Sequence, residues 1–323
     1  MPAPDVTVLV VTWRARELLR GCLAALSAQT VPHRLIVVDN ASTDGTAELL
    51  ADLLAGRPEA RVLRLSRNTG FAGGVAAGLT QVDTGWVALL NDDAQPEPGW
   101  LAALLAAAGD DGAVAAVTSR LLLPSGAVNN AGVRLLADGY GADRGLGEPD
   151  GPPYDSDAEV FGFSGGAALL RMAAVEAAGG FPAQFFLYYE DTDTSWRLRL
   201  CGGRVRYAPA AVVRHAHSAS ADQASALFSF HNERNRLLTL TRCAPAAVAL
   251  RQLVRFGLTT GSLAVRRARR RPLPPAPHFR TGLRLRVLAS YARLLPWALR
   301  TRREIGRRAV RSRAEVARQW LGR

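Results

Sequence analysis

The run WVALLNDDA (86–94) ends a stretch of apolar residues on Asn91, Asp92 and Asp93. Carboxylates at the end of a buried strand must be solvated, paired or bound to a cation, because an isolated buried charge is costly. A solvated turn is the plain account, since Asn, Asp, Pro and Gly are common turn formers and QPEPG follows at once. Other polar clusters weigh against it. In VVDNASTDGT (37–46), Asn40, Ser42 and Asp44 suit Asx-type turns that also cap the next helix. Asp39, at the strand end itself, can accept hydrogen bonds from ribose hydroxyls or a base N–H. In RNTGFAGGVAAG (67–78), Gly70, Gly73, Gly74 and Gly78 permit close backbone approach, and free N–H groups at a helix start attract phosphate. Turn-making is the rival reading of those glycines. A nucleotide diphosphate on this edge would be repelled by Asp92 and Asp93 unless a bridging Mg²⁺ or Mn²⁺, a hard cation with oxygen ligands, removed the conflict. Order excludes a dinucleotide-binding unit of the dehydrogenase kind. That unit wants its glycines after the first strand and its acid about 20 residues later, and here the acid precedes the glycines.

A second group lies in FFLYYEDTDTSWRLRLCGGRVRY (185–207). Glu190, Asp191 and Asp193 stand beside Phe185, Phe186, Tyr188 and Tyr189, a composition suited to a general base with a sugar-stacking wall. Acids facing a helix N-terminus are the structural alternative, which suits Asp193 best. In AVVRHAHSAS (211–220), His215 and His217 alternate along one strand face. Lone histidines are usually structural, and a site shared with Asp93 would make one of them a ligand.

These residues need a frame that carries strand ends to one edge. Strands are expected at 6–13, 34–40, 61–66 and 86–92, alternating with helices at 15–29, 46–55 and after the glycine loop at 70–78. That alternation predicts an α/β fold with a largely parallel, doubly wound sheet, whose ligands sit beyond the carboxyl ends of the strands. The Gly-, Asp- and Pro-rich region 120–160 reads as a long loop that covers the site. A strand and a helix ended by Gly179-Gly180 follow at 160–181, and no internal repeat is seen.

Bulk composition sets limits. With 48% hydrophobic and 21% charged residues among 323, the chain is globular. Cys22, Cys201 and Cys243 have no CxxC spacing and read as small core residues of a reducing compartment. The N-terminus lacks a basic region before its short apolar stretch, so no signal peptide is expected. No run of eighteen apolar residues predicts a spanning helix. Charge divides sharply. Residues 1–241 hold 19 Arg and 26 acids, a net −7, whereas 242–323 hold 21 Arg and two acids, a net +19, with no Lys anywhere. We therefore expect a catalytic body (1–241) and a basic, mostly helical extension (242–323). Its RRARRR cluster (266–271) and apolar stretches such as LRLRVLASYARLLPWALR suit helices lying on an anionic membrane surface. Nucleic-acid binding is the rival, disfavoured by the apolar content and Trp297.

The ordered set VVTWR, VVDNASTDGT, NTGFAGG, LLNDDA, FSGGAALL, GGF, FFLYYEDTDTSWRLR and HAHSAS resembles the family-two, GT-A-fold inverting glycosyltransferases, above all their bacterial rhamnosyltransferase-like branch. The resemblance spans about residues 5–240. It implies a metal-dependent enzyme that moves a sugar from a nucleotide diphosphate donor to a hydroxyl of a glycan or lipid-linked acceptor in surface polysaccharide synthesis. It implies nucleoside contacts from Thr12, Trp13 and Asp39, with Arg14, Asn40, Asn68, Gly70, Phe71, Gly73 and Glu190 also in the donor site. Asp92 would sit near the donor ribose or sugar, Asp93 and His215 would hold the divalent cation, and Asp191 would be the base. Val75 departs from the family, where Asn often follows the double glycine. A non-catalytic nucleotide-sugar binding protein is the alternative, and retention of Asp191 beside the metal motif argues against it. The implied location is the cytoplasmic face of the plasma membrane, as a peripheral protein.

Overall fold

A computed structural model describes residues 5–216 and 225–322. Three βα units and a fourth strand open the chain: β1 (Val6–Thr12), α1 (Arg16–Ser27), β2 (Arg34–Asp39), α2 (Thr46–Leu53), β3 (Ala60–Arg64), α3 (Gly70–Leu79) and β4 (Trp86–Asn91). The short β5 (Ala94–Pro96) leads to α4 (Trp100–Ala108) and the long β6 (Val114–Leu122). Region 120–160, expected as a loop, instead contains β7 (Val128–Asn130), the hairpin of β8 (Val133–Leu135) and β9 (Gly141–Asp143), and β10 (Ala158–Glu159). These strands are two or three residues long and bounded by Gly and Asp, too short for any periodicity to reveal. Then come β11 (Ala167–Arg171), α5 (Met172–Ala178), α6 (Glu190–Leu200) and β12 (Arg204–His215), followed by α7 (Ala226–Cys243), α8 (Ala246–Ala268), α9 (Thr281–Arg308) and α10 (Arg313–Trp320).

The main sheet runs β10-β12-β6-β11-β4-β1-β2-β3. Pairs β1–β2, β2–β3, β1–β4 and β6–β12 are parallel, and β11 enters antiparallel between β4 and β6. This is the mainly parallel α/β sheet that the sequence predicts. Every residue of β1 is buried, because helices cover both faces. Val8 and Val10 pack with Leu19, Cys22 and Leu26 of α1, while Leu9 and Val11 point to the opposite layer. There α3 lies almost on the sheet. A Cβ on Gly74 would come within 2.5 Å of Val11, and one on Gly78 within 2.4 Å of Leu9. Those glycines serve helix–sheet packing.

The basic C-terminal region packs on the body. The expected boundary at 241/242 falls inside α7, and α8 and α9 add Phe256, Leu283, Val287 and Tyr291 to a cluster with Phe185, Tyr189 and Leu238. Ile305 and Val316 join a second cluster with Phe161 and Trp196. Leu294, Leu295 and Trp297 were expected to face a membrane. They pack against the first cluster instead, with Trp297 edge-on to Phe185 at 6.1 Å. All three are partly buried there. All three cysteines are free thiols, and no helix among the described residues is long and apolar enough to cross a membrane.

Candidate active site

Ladder register assembles the first half of the site. Thr12 lies opposite Asp39, and Val11 opposite Asn91, so the carboxyl ends of β1, β2 and β4 form one edge. Asn40 N–H donates to the Thr12 carbonyl at 2.9 Å, carrying the ladder one residue further. Asp39 is fully buried. Its Oδ1 accepts from Ser42 N–H at 2.9 Å, and its Oδ2 has no hydrogen-bond partner among the described residues, with Arg64 Nε 3.6 Å away. A buried carboxylate oxygen left open at a strand end is a place for a ligand's hydroxyl or N–H. Trp13 stands beside it, 48% exposed, with the Arg14 guanidinium 5.6 Å over its ring.

Asn40 and Asn68, expected to touch the donor, hold backbone. Asn40 Oδ1 accepts from Thr69 N–H at 2.8 Å, its Nδ2 donates to the Gly70 carbonyl at 3.0 Å, and Asn68 Oδ1 accepts from Gly70 N–H at 2.8 Å. Ala72 N–H donates to the Phe186 carbonyl at 3.1 Å. The N–H groups of Gly70 and Ala72 are therefore engaged within the protein. Gly70 has φ +71°, and a Cβ there would overlap the Phe186 carbonyl. Gly73 closes on Thr69, where a Cβ would come within 2.6 Å. The loop's task is to let the 185–191 segment approach.

Beyond β4, β5 pairs with β12 so that His215 faces Ala94, and Ala216 N–H donates to the Asp93 carbonyl. His215 Nε2 lies 2.9 Å from Asp93 Oδ1 and 3.3 Å from Asn91 Nδ2, while its Nδ1 is 2.8 Å from Asn129 Oδ1. The imidazole is thus oriented through Nδ1 by an amide oxygen, with Nε2 against a carboxylate. Among the described residues no group of three or more His, Cys, Asp and Glu could hold a metal ion. Asp93 and His215 lie side by side at this strand end and would offer a cation one carboxylate oxygen and one imidazole nitrogen. Burial pushes the neighbouring Asp92 carboxyl up to about 6, and Asp93 adds to this, with the nearby Thr12 hydroxyl and Trp13 N–H opposing the rise. His217 lies outside the described residues.

The second half is the start of α6. Asp191 Oδ2 accepts from Gly165 N–H at 3.1 Å, and its Oδ1 accepts from Thr192 N–H at 2.6 Å. Burial raises its carboxyl above the usual aspartate range, and these hydrogen bonds oppose the rise. Gly165-Gly166 joins the halves. Asn91 N–H donates to the Gly166 carbonyl at 2.9 Å, and a Cβ on Gly165 would sit 3.1 Å from the Phe71 ring. Glu190 is buried with Oε2 unpartnered among the described residues, and burial raises its carboxyl strongly, reinforced by Asp191. Asp193 faces Arg197 Nε at 2.7 Å and Arg242 Nη1 at 2.5 Å, a buried ion pair binding α6 to α7.

Several residues escaped the sequence reading. Asn235 Nδ2 donates to the carbonyls of Phe185, Leu187 and Tyr188 at 3.0, 2.8 and 2.8 Å, and Arg234 donates to Phe185 at 2.7 Å. They brace a segment in which Phe186, Tyr188 and Tyr189 all have φ between +66° and +72°. Asn129 orients His215. Asp143, reached by solvent yet walled by protein, is pushed up to about 6 by burial and by Asp191. The available signal was the polar run HNERNR inside an otherwise apolar helix, and the doublet Asn129-Asn130 in a turn-rich stretch.

Residues 7–177 match the family model described as Glycosyl transferase family 2. The chain belongs to that family. It is similar to the N-acetylglucosaminyl-diphospho-decaprenol L-rhamnosyltransferase of Mycobacterium tuberculosis, at 31% identity over 82% of this chain and 96% of that protein. It also resembles the pre-mycofactocin glycosyltransferase of the same organism, at 31% identity over 66% of this chain and 43% of that protein. Among solved structures, GalNAc-T7 with UDP, GalNAc and Mn²⁺ superposes with a TM-score of 0.62 at 14% identity, over 75% of this chain and 48% of the other. The mannosyltransferase PcManGT of Pyrobaculum calidifontis, with GDP-Man and Mn²⁺, gives 0.52 at 20% identity, over 94% and 74%. These structures share the GT-A-type fold. The protein is a glycosyltransferase of polysaccharide or glycoconjugate synthesis.

Proposed function

We propose that this glycosyltransferase is inverting and metal-dependent. It would move rhamnose or a related sugar from a nucleotide diphosphate donor to a hydroxyl of a glycan or lipid-linked acceptor at the cytoplasmic membrane face. One observation carries the reading: the Gly165-Gly166 turn hydrogen-bonds Asp191 on one side and Asn91 on the other, so an acid and the Asp93–His215 pair share one edge. Trp13 and Asp39 hold the nucleoside, by ring contact and by the open Oδ2. A divalent cation bound by Asp93 and His215 would offset the charge growing on the departing diphosphate. Asp191 takes the proton of the acceptor hydroxyl while that oxygen bonds to the anomeric carbon. The bond from that carbon to the diphosphate oxygen breaks with its electron pair, and the nucleotide diphosphate leaves with inversion. A raised carboxyl suits this task, because a base works best with a pKa near the working pH. The mycobacterial relative's name, with its diphospho-decaprenol component, and the near-complete coverage of that protein support a lipid-linked acceptor.

The test is a panel of nucleotide sugars with product release as the readout, followed by NMR assignment of the new anomeric centre. Inversion with one preferred donor is expected. Retention of configuration would remove Asp191 from the role of base, and donor binding without transfer to any acceptor would point to a binding protein.

A further inference from the structure

Only one side of α8 is buried. Gln252, Phe256, Thr260 and Leu263 face inward, and Arg284 of α9 clamps that side by donating to the Phe256 carbonyl and to Thr260 Oγ1. On the other side Leu250, Val254, Leu258 and Val265 are 63, 50, 71 and 51% exposed. At 3.6 residues per turn these four fall within an arc of roughly 80°. Single exposed leucines need no explanation, but an aligned row along a helix is an organised apolar face. Arginines border it. Arg251 and Arg255, one turn apart, line a depression of about 500 Å³ with Leu136, Ala137 and Asp138, and the arginine cluster 266–271 continues from the exposed end of the helix.

We propose that this face of α8 docks on an anionic lipid bilayer, with the four apolar side chains at the acyl boundary and the arginines on headgroup phosphates. This rests on the membrane-side reading given above and assigns it to one helix, in place of the Leu294–Trp297 segment of α9. The chemistry selects the occupant. Apolar side chains in a row bordered by arginine match the layered polarity of a bilayer interface. A nucleic acid would use the arginines and leave the row in water. A second copy meeting this face symmetrically would set arginine near arginine.

The test is co-sedimentation of the full chain with phosphatidylcholine vesicles, with and without phosphatidylglycerol, at low and high salt. Wild type should bind the anionic vesicles and weaken with salt. Leu250→Gln with Leu258→Gln should weaken binding about tenfold or more. The control pair Leu285→Gln with Leu299→Gln on α9 should not, and nucleotide binding should be unchanged in both. If the α8 pair binds vesicles like wild type, the face is wrong while the membrane reading stands. If wild type ignores anionic vesicles, both are wrong. A lipid-free dimer dispersed by the α8 pair would reassign the row to self-association, and duplex DNA displacing the vesicles would reassign the arginines.

Discussion

The two halves of the site are built by different physics. The strand-end half, with Thr12, Asp39 and Asn91–Asp93, inherits its geometry from parallel ladders whose residues face each other in fixed register. Its left-handed residues are braced locally, as where Arg14 N–H donates to Ser42 Oγ in the adjacent loop. The α6 half has no ladder. Phe186, Tyr188 and Tyr189 adopt left-handed backbone at a cost of about 1–2 kcal/mol each. They stay there because the chain around them is held from a distance: Asn235 donates to the carbonyls of Phe185, Leu187 and Tyr188, Arg234 donates to that of Phe185, and Ala72 N–H donates to that of Phe186. Donor binding should therefore be robust and base placement fragile.

Removing the base is the largest break. Asp191→Asn should lower turnover by about 10²–10⁴-fold with nucleotide binding nearly intact. In wild type, activity should rise with pH through a value above the ordinary aspartate range, since the base acts ionised and burial raises its carboxyl. Near-normal turnover in the variant would move the role to another acid. On the other half, Asp93→Ala should weaken nucleotide diphosphate binding about 10–100-fold when Mn²⁺ or Mg²⁺ is present. With chelator the two proteins should bind alike. Calorimetry with and without EDTA decides this, and a cation-independent loss would assign Asp93 to direct contact.

The contrast between the halves is sharpest at Asn235. Asn235→Ala should reduce kcat about tenfold to a hundredfold through misplacement of Asp191, while the donor KM stays within about twofold. Equal loss in both would mean that the brace supports the whole site. The smallest effect concerns Asp92. Its carboxyl is raised from 3.8 to about 6 in the folded protein, so ionising it opposes folding. The penalty is absent below about pH 4, grows through pH 4–6 and is full above 6, reaching at most about 2–3 kcal/mol. Asp92→Asn without cation should thus unfold at a higher temperature than wild type at pH 8 and at the same temperature near pH 4. Equal melting at pH 8 would show that Asp92 is well solvated.

Composition and periodicity alone determined the alternating strands and helices and the polar residues past each strand, while the ordered motifs carried the resemblance to the family. They succeed there because strands of five or more residues buried on both faces must be written in continuous apolar runs, and a parallel sheet brings their ends together. Tertiary structure decided the rest. It turned Asn40 and Asn68 into backbone braces, gave Asp193 to an ion pair with Arg197 and Arg242, and set Asn129 behind His215. It folded α9 onto the body and left the apolar row of α8 outside. Both helices carry Leu, Val and Arg at helical spacing, and a single helix's pattern shows that it has an apolar face without showing what covers it. The partner for each polar atom and each apolar row comes from distant chain, and only packing assigns it.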